Sequence, residues 1–285
     1  MLWDTFYSLE QSLLRLQHSE RQKRHLGNLA PIIHTVGAGA TPSIMTRRAI
    51  HESTSMMKTI QVENMHNSFV DNGYQIIKSA IPKEVAKFCF DYFLLKRDAF
   101  DFMTKENILP PGPFSYFGRR GDRLVNDCYC HYADHAMETL LLQLKPVMER
   151  STGLKLVPTY SYARAYENGA ILNKHKDRAS CEISTTLNLG GDSWPIYLEP
   201  KKEIGFYNDD DEYVHGETEG IRVDLSPGDM LIYKGIDLEH WREEFSGNTC
   251  VQVFLHYNTY NAENLKNIFD GRPLPGLPHA TYEKK

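Results

Sequence analysis

No stretch of these 285 residues is continuously apolar for the ~20 positions that a membrane-crossing helix needs, so no span is expected. A cationic surplus is also missing. Lysine and arginine total 32 against 37 acidic residues, a formal charge of -5, which argues against a nucleic-acid or anionic-membrane partner. Cysteine is scarce: Cys89, Cys128, Cys130, Cys181 and Cys250 are odd in number and irregular in spacing. That excludes a disulfide framework and points to a reducing compartment, with the cytoplasm as the expectation. The N-terminus lacks the apolar core of a signal peptide, and Asp4 and Glu10 argue against a mitochondrial leader. The small basic clusters, Arg21 to Arg24 and Arg47-Arg48, read as solvated leader rather than binding patch.

What is present divides into three stretches. Residues 1–59 read as a leader, helical over the first 25 or so, where Leu9, Leu13 and Leu16 recur at helical spacing, and then broken by Gly37-Ala-Gly-Ala-Thr-Pro42. No Gly-Lys-Ser/Thr follows those glycines, so they are not a phosphate loop. Met56 and Met57 offer a second start. Residues 60–263 read as the folded domain and 264–285 as a tail. The domain opens with a short apolar strand over 73–78. A helix follows over 83–97, with Pro82 just before it and Val85, Phe88, Tyr92 and Leu95 as its apolar face. Residues 108–130 are rich in loop signals, and a second helix covers 136–151. Beyond 157 the pattern becomes short strands separated by turn residues: 160–166, 170–174, 182–189, 194–199, 220–225, 229–233 and 249–257. Helices first and strands after predict an α+β fold, with the helices supporting a β-sandwich or jelly roll.

The chemistry centres on Asn173-Lys-His-Lys-Asp-Arg178. Residues two apart at the end of a strand face the same side, so His175 and Asp177 can share one cavity. A third ligand has to come from a distant strand, and His240, which follows the turn and apolar strand Ser226-Pro-Gly-Asp-Met-Leu-Ile-Tyr233, is the best placed. Two histidines and one carboxylate form the facial triad of non-haem Fe(II) oxygenases, with open positions for a co-substrate and O2. A closed structural zinc site would call for four protein ligands. Other features read as structural. Cys128-Tyr-Cys-His131 has no matching cysteine pair, and Asp134 reads as a helix cap. Trp194, Tyr197, Trp241 and Phe245 read as core, the acidic run Asn208 to Glu212 as a solvated turn, and His215 and His256 as lone histidines. His256 is the substitute ligand if His240 is not the distal one.

At these residues the sequence resembles the Fe(II)/2-oxoglutarate-dependent dioxygenases, and most closely their prolyl-4-hydroxylase-like branch. Tyr166-Glu-Asn-Gly169 leads into His175-Lys-Asp177, Thr185-Thr-Leu-Asn188 precedes Gly190-Gly191, and Pro227-Gly-Asp-Met-Leu-Ile-Tyr233 precedes His240, all in the family's order. The likeness covers about residues 70 to 257. It implies a double-stranded β-helix, Fe(II) on His175, Asp177 and His240, 2-oxoglutarate and O2 as co-substrates, and hydroxylation of a peptidyl residue or small metabolite. It also implies that Tyr166 offers its hydroxyl to the oxoacid. One position departs from the pattern. Where the family carries a Lys or Arg on the final strand to grip the far carboxylate of 2-oxoglutarate, this sequence has Thr249, and a neutral hydroxyl cannot replace a charge-assisted pair. Arg242, Arg164 and Arg178 are the candidate replacements. A cupin-type metal enzyme that uses no oxoacid and a non-catalytic jelly-roll binding module remain the alternatives, and the oligomeric state is left open.

Overall fold

A computed structural model describes residues 69–109, 116–208 and 212–278. The expected leader, its basic clusters, the Pro110-Pro111-Gly112-Pro113 loop, the centre of the acidic turn and the end of the tail lie outside the described residues.

Strand β1 (Tyr74–Ile77) is followed by helix α1 (Lys83–Lys105), strands β2 (Arg119–Arg120) and β3 (Tyr129–Tyr132), and helix α2 (His135–Thr152). Eleven-residue and longer strands then frame the sheet: β4 (Leu156–Glu167) near the start and β13 (Thr249–Thr259) at the end. Between them come β5 (Leu172–His175), β6 (Ile183–Gly191), β7 (Ile196–Leu198), β8 (Phe206–Tyr207), β9 (Tyr213–Val214), β10 (Ile221–Val223), β11 (Met230–Tyr233) and β12 (His240–Arg242). A 7-stranded sheet, in the order β1-β11-β6-β13-β4-β3-β2, faces a 4-stranded sheet, β10-β7-β12-β5; β8 and β9 form a separate hairpin. Every pairing is antiparallel. This is the expected double-stranded β-helix with its helices on the larger sheet.

Alternation along the long strands decides which residues meet the helices and which meet the site. On β13, Val251, Val253, Leu255 and Tyr257 join the core under α1 and α2, with Ala163 and Ala165 of β4 and Leu187 and Leu189 of β6. The intervening residues, Cys250, Gln252, Phe254 and His256, pair with Tyr166, Arg164, Tyr162 and Tyr160 and face the opposite way, between the two sheets. Helix α1 buries Ala86, Cys89, Phe93 and Phe100 against this sheet.

Two expectations need correcting. Helix α1 continues past 97 to Lys105, because Phe100 still packs on the core, and it stops where Asn107 turns to φ 55. The stretch 108–130, expected to be loop-rich, runs at its end into strand Tyr129–Tyr132, whose register is set by pairing with Ala165 to Tyr162 of β4. Beyond residue 263, a 3-10 segment, Asn264–Gly271, lies against β4, and Arg272 is buried in an ion pair with Glu138 of α2 at 3.1 Å. Asp134 caps α2 as expected, accepting from the backbone N–H of Ala136 and Met137. All five cysteines are free and buried. No helix among the described residues is long and apolar enough to cross a membrane.

Candidate metal centre

His175 is the last residue of β5 and His240 the first of β12, and the two are directly opposed across that antiparallel pair. Their ring centroids are 4.2 Å apart. Asp177 lies just beyond the end of β5, fixed by its backbone N–H to Gly235 O at 2.9 Å. Its Oδ1 is 3.8 Å from His175 Nε2 and 3.7 Å from His240 Nε2. Both separations are shorter than twice a metal–ligand bond of about 2.1 Å, so one ion can touch all three atoms. The structure thus brings together the three residues singled out in the sequence, and the ligand atoms lie within 4.8 Å of one another.

The imidazoles are already in the form a metal needs. His175 Nδ1 lies 2.7 Å from Asn173 O, and His240 Nδ1 lies 2.9 Å from Leu238 O. A carbonyl only accepts, so each Nδ1 carries the proton and each Nε2 lone pair is left free on the Asp177 side. Burial, with the close approach of the His240 ring, pushes the pKa of His175 down to about 3, so its ring is neutral at physiological pH. Burial alone would raise the pKa of Asp177, yet the histidines around it and the Ser184 hydroxyl hold it below the usual carboxylate range.

Ser184 is a residue that sequence reasoning did not find. Its Oγ donates to Asp177 Oδ2 at 2.6 Å, leaving Oδ1 to face the histidines. With its only proton given away, Ser184 Oγ accepts from His256 Nδ1 at 2.9 Å. The signal was its even position on β6, which shares the inward face with Thr186 and Asn188, but this parity can be used only once the register is known. Gly235 completes the cradle. A Cβ there would lie 2.5 Å from Cys181 O and Ser184 Oγ and would press on the Asp177 carboxylate. His256 belongs to a second possible ligand group, with Asp177 and Cys181. His215 is exposed on the stretch after β9.

A cavity of about 420 Å³ opens onto the triad and is also lined by Tyr160, Tyr162, Arg164, Tyr233 and Phe254. Trp194, Tyr197, Trp241 and Phe245 do not line it. Trp194 packs on Tyr166 and Phe245, and Trp241 stacks on Tyr197.

The candidate oxoacid-binding residues are placed unequally. Thr249 lies at the start of β13, partly exposed and paired with Glu167, and its parity puts it on the face of Val251 and Val253, away from the site. None of the inward residues of β13 is a cation. Arg178 is paired with Asp270 at 2.6 Å. Arg164, on the cavity wall, is paired with Asp122 and donates to Tyr166 OH at 3.0 Å. Arg242, 1% exposed and one layer behind the wall, donates to Trp194 O and, at 3.3 Å, to Thr186 Oγ1. Among the described residues it makes no ion pair with a carboxylate; burial pushes its pKa down, and Cys250, Tyr166, Tyr233 and the like-charged Arg164 lie near it. The Nε atoms of Arg242 and Arg164 are both buried without a partner.

No protein-family model matches the sequence, and no curated protein matches it. Among solved structures, the chain is similar to the non-haem α-ketoglutarate-dependent epimerase SnoN from nogalamycin biosynthesis, with a TM-score of 0.52 and 11% identity over 70% of this chain and 84% of that one. SnoN in complex with Fe3+, α-ketoglutarate and nogalamycin RO gives the same score, with 79% and 94% covered. A prolyl-4-hydroxylase from Pseudomonas putida is similar at a TM-score of 0.46 and 14% identity, over 70% of this chain and 100% of that one. At such identities the likeness is one of fold, and the fold is the double-stranded β-helix of the Fe(II)/2-oxoglutarate oxygenases.

Proposed function

We propose that this protein is an Fe(II)- and 2-oxoglutarate-dependent oxygenase that hydroxylates a small molecule or a peptidyl residue. One observation carries the reading: two histidines with their Nδ1 protons tied to backbone carbonyls aim both Nε2 atoms at a single carboxylate oxygen beside a cavity. His175, Asp177 and His240 would hold the ion, and Asp177 would offset one of its charges. Three protein ligands leave positions free, which distinguishes the set from a structural zinc site. Bound there, iron and oxoacid would supply oxidation of a substrate C–H bond by O2, with the oxoacid decarboxylated to succinate.

Arg242 is the candidate partner for the far carboxylate of the oxoacid. It is a buried cation that makes no ion pair among the described residues, and its Nε proton is unclaimed. It lies two residues from His240, about 7 Å along the strand, which is the reach of a five-carbon diacid. Tyr166 OH accepts from Arg164 and keeps its own proton for an anion. Anaerobic titration with Fe(II) and 2-oxoglutarate tests the reading. A weak visible metal-to-ligand charge-transfer band is expected, and it is lost in His240→Ala. An iron-loaded protein that shows no band, and releases no succinate in air, would overturn the proposal.

A further inference from the structure

The charges around the cavity do not balance. Arg119, Arg123, Arg164, Lys174, Lys176 and Arg178 line it, against two carboxylates, Asp122 and Asp177. Both carboxylates are committed, Asp122 to Arg164 and Tyr162, and Asp177 to the histidines and Ser184. Arg178 has Asp270. Lys174 is capped by the carbonyls of Gly216 and Thr218 and lies over the Trp241 ring, and Lys176 is capped by Lys202 O. Asp237, Glu239 and Glu203 lie near enough to Lys176 to attend its charge.

Arg119 and Arg123 remain. Arg119 is on β2 and Arg123 follows in the turn toward β3, and both are exposed. Among the described residues, the side-chain partners of the Arg119 guanidinium are neutral: the Tyr162 hydroxyl, at a long 3.4 Å, and the Cys130 thiol. Arg123 makes no hydrogen bond or ion pair among the described residues. Two uncompensated guanidiniums on the wall of one cavity, in a chain whose overall charge is -5, run against the average of the surface. Guanidinium forks match the oxygens of a carboxylate or phosphate, and a cavity wall of one sign draws in the opposite charge.

We infer that the cavity takes a small anionic substrate, one bearing a carboxylate or phosphate group that Arg119 and Arg123 receive at the mouth. This rests on the oxygenase reading for what happens to the substrate, but the recognition itself needs no metal. The cavity volume, about 420 Å³, lies in the range of small-molecule sites and favours a compact acid over an acidic peptide.

The test uses the full chain loaded with Mn(II) and saturating 2-oxoglutarate under anaerobic conditions, so that the inner site is filled. Propane-1,2,3-tricarboxylate, inorganic phosphate and the uncharged propane-1,2,3-tricarboxamide are titrated in turn by calorimetry. At least one of the two anions is expected to bind saturably, and which one binds separates the carboxylate from the phosphate source. The triamide is expected to bind at least about tenfold more weakly. The double variant Arg119→Gln/Arg123→Gln is expected to lose about tenfold or more in anion affinity, with 2-oxoglutarate affinity and thermal midpoint unchanged. Equal binding of the triamide, unaltered anion binding in the double variant, or no binding of either anion at millimolar concentration overturns the inference. So does binding of a glutamate hexapeptide alone. Repeating the titration on metal-free protein separates the two readings. Arginine-dependent anion binding without any Mn(II) or oxoacid uptake sinks the oxygenase proposal and leaves this inference standing. Metal and oxoacid uptake without that binding does the reverse.

Discussion

Replacing Arg242 by methionine removes a buried charge while keeping most of the volume of an unbranched side chain. In the absence of an anion, the wild-type guanidinium bears its desolvation cost without an ion pair among the described residues, beside the like charge of Arg164. Relieving that cost is worth a few kcal/mol, offset by leaving Trp194 O without its donor, about 1–3 kcal/mol. The net expectation is a metal-free protein as stable as wild type or more so, by up to about 3 kcal/mol, or up to roughly 10 °C in Tm. The effect on the oxoacid has the opposite sign. Removing one partner of a buried charge pair costs about 2–5 kcal/mol, so the Kd for 2-oxoglutarate rises by about thirty-fold to several thousand-fold. Anaerobic titration of the charge-transfer band measures that Kd, and differential scanning calorimetry on the metal-free protein measures the Tm. A destabilised protein with unchanged oxoacid affinity would refute the reasoning and make Arg242 an ordinary structural cation. A large loss in Arg164→Met alone would move the assignment to the wall.

Other consequences are as direct. Ser184→Ala frees Asp177 Oδ2 to rotate, and metal affinity is expected to fall about 10- to 100-fold with the fold intact; equilibrium Mn(II) titration checks it, and unchanged affinity would show that Ser184 does not orient the carboxylate. Acid is expected to weaken the metal-free protein. Burial holds His256 down to about 4 and His175 to about 3, against an ordinary 6.5, so below pH 6.5 the unfolded chain takes up protons that the folded one refuses. Stability is therefore full above about pH 6.5 and declines as the pH falls toward 4, by up to about 1.4 kcal/mol per pH unit for each histidine. Urea midpoints that stay flat from pH 7 to 5 would contradict this. Arg272→Leu leaves the buried Glu138 carboxylate without its partner, and a loss of about 3–5 kcal/mol in chemical denaturation is expected; a neutral result would mean that the C-terminal segment is not needed by the domain.

Local pattern revealed the His175, Asp177 and His240 cluster and obscured its support. His175 and Asp177 were legible because an i, i+2 pair at a strand end requires no knowledge of the rest of the fold. His240 was legible because a turn and an apolar strand precede it. The strand it begins was not, because β12 is three residues long and exists through its neighbours β5 and β7. Ser184, Tyr160 and Tyr233 could not be singled out, since the inward parity of β6, β4 and β11 depends on pairings between distant strands. The same non-locality explains Thr249. Counting along the final strand put Thr249 at the position of the family's oxoacid-gripping cation, and only the pairing with Glu167 shows that it faces away. Arg242 stood out in sequence only by its nearness to His240, and its lack of a counter-ion is a property of the packed interior.

Strand β13 separates two tasks by parity, and that has a practical meaning for redesign. Its odd positions hold the helices, and a change there puts the whole fold at risk. Cys250, Gln252 and Phe254 look inward and belong to neither candidate metal-binding group. A library confined to these three positions can reshape what the interior accepts while the helix-bearing face and the His175, Asp177 and His240 cluster stay as they are, so that new chemistry can be sought along a single stretch of backbone.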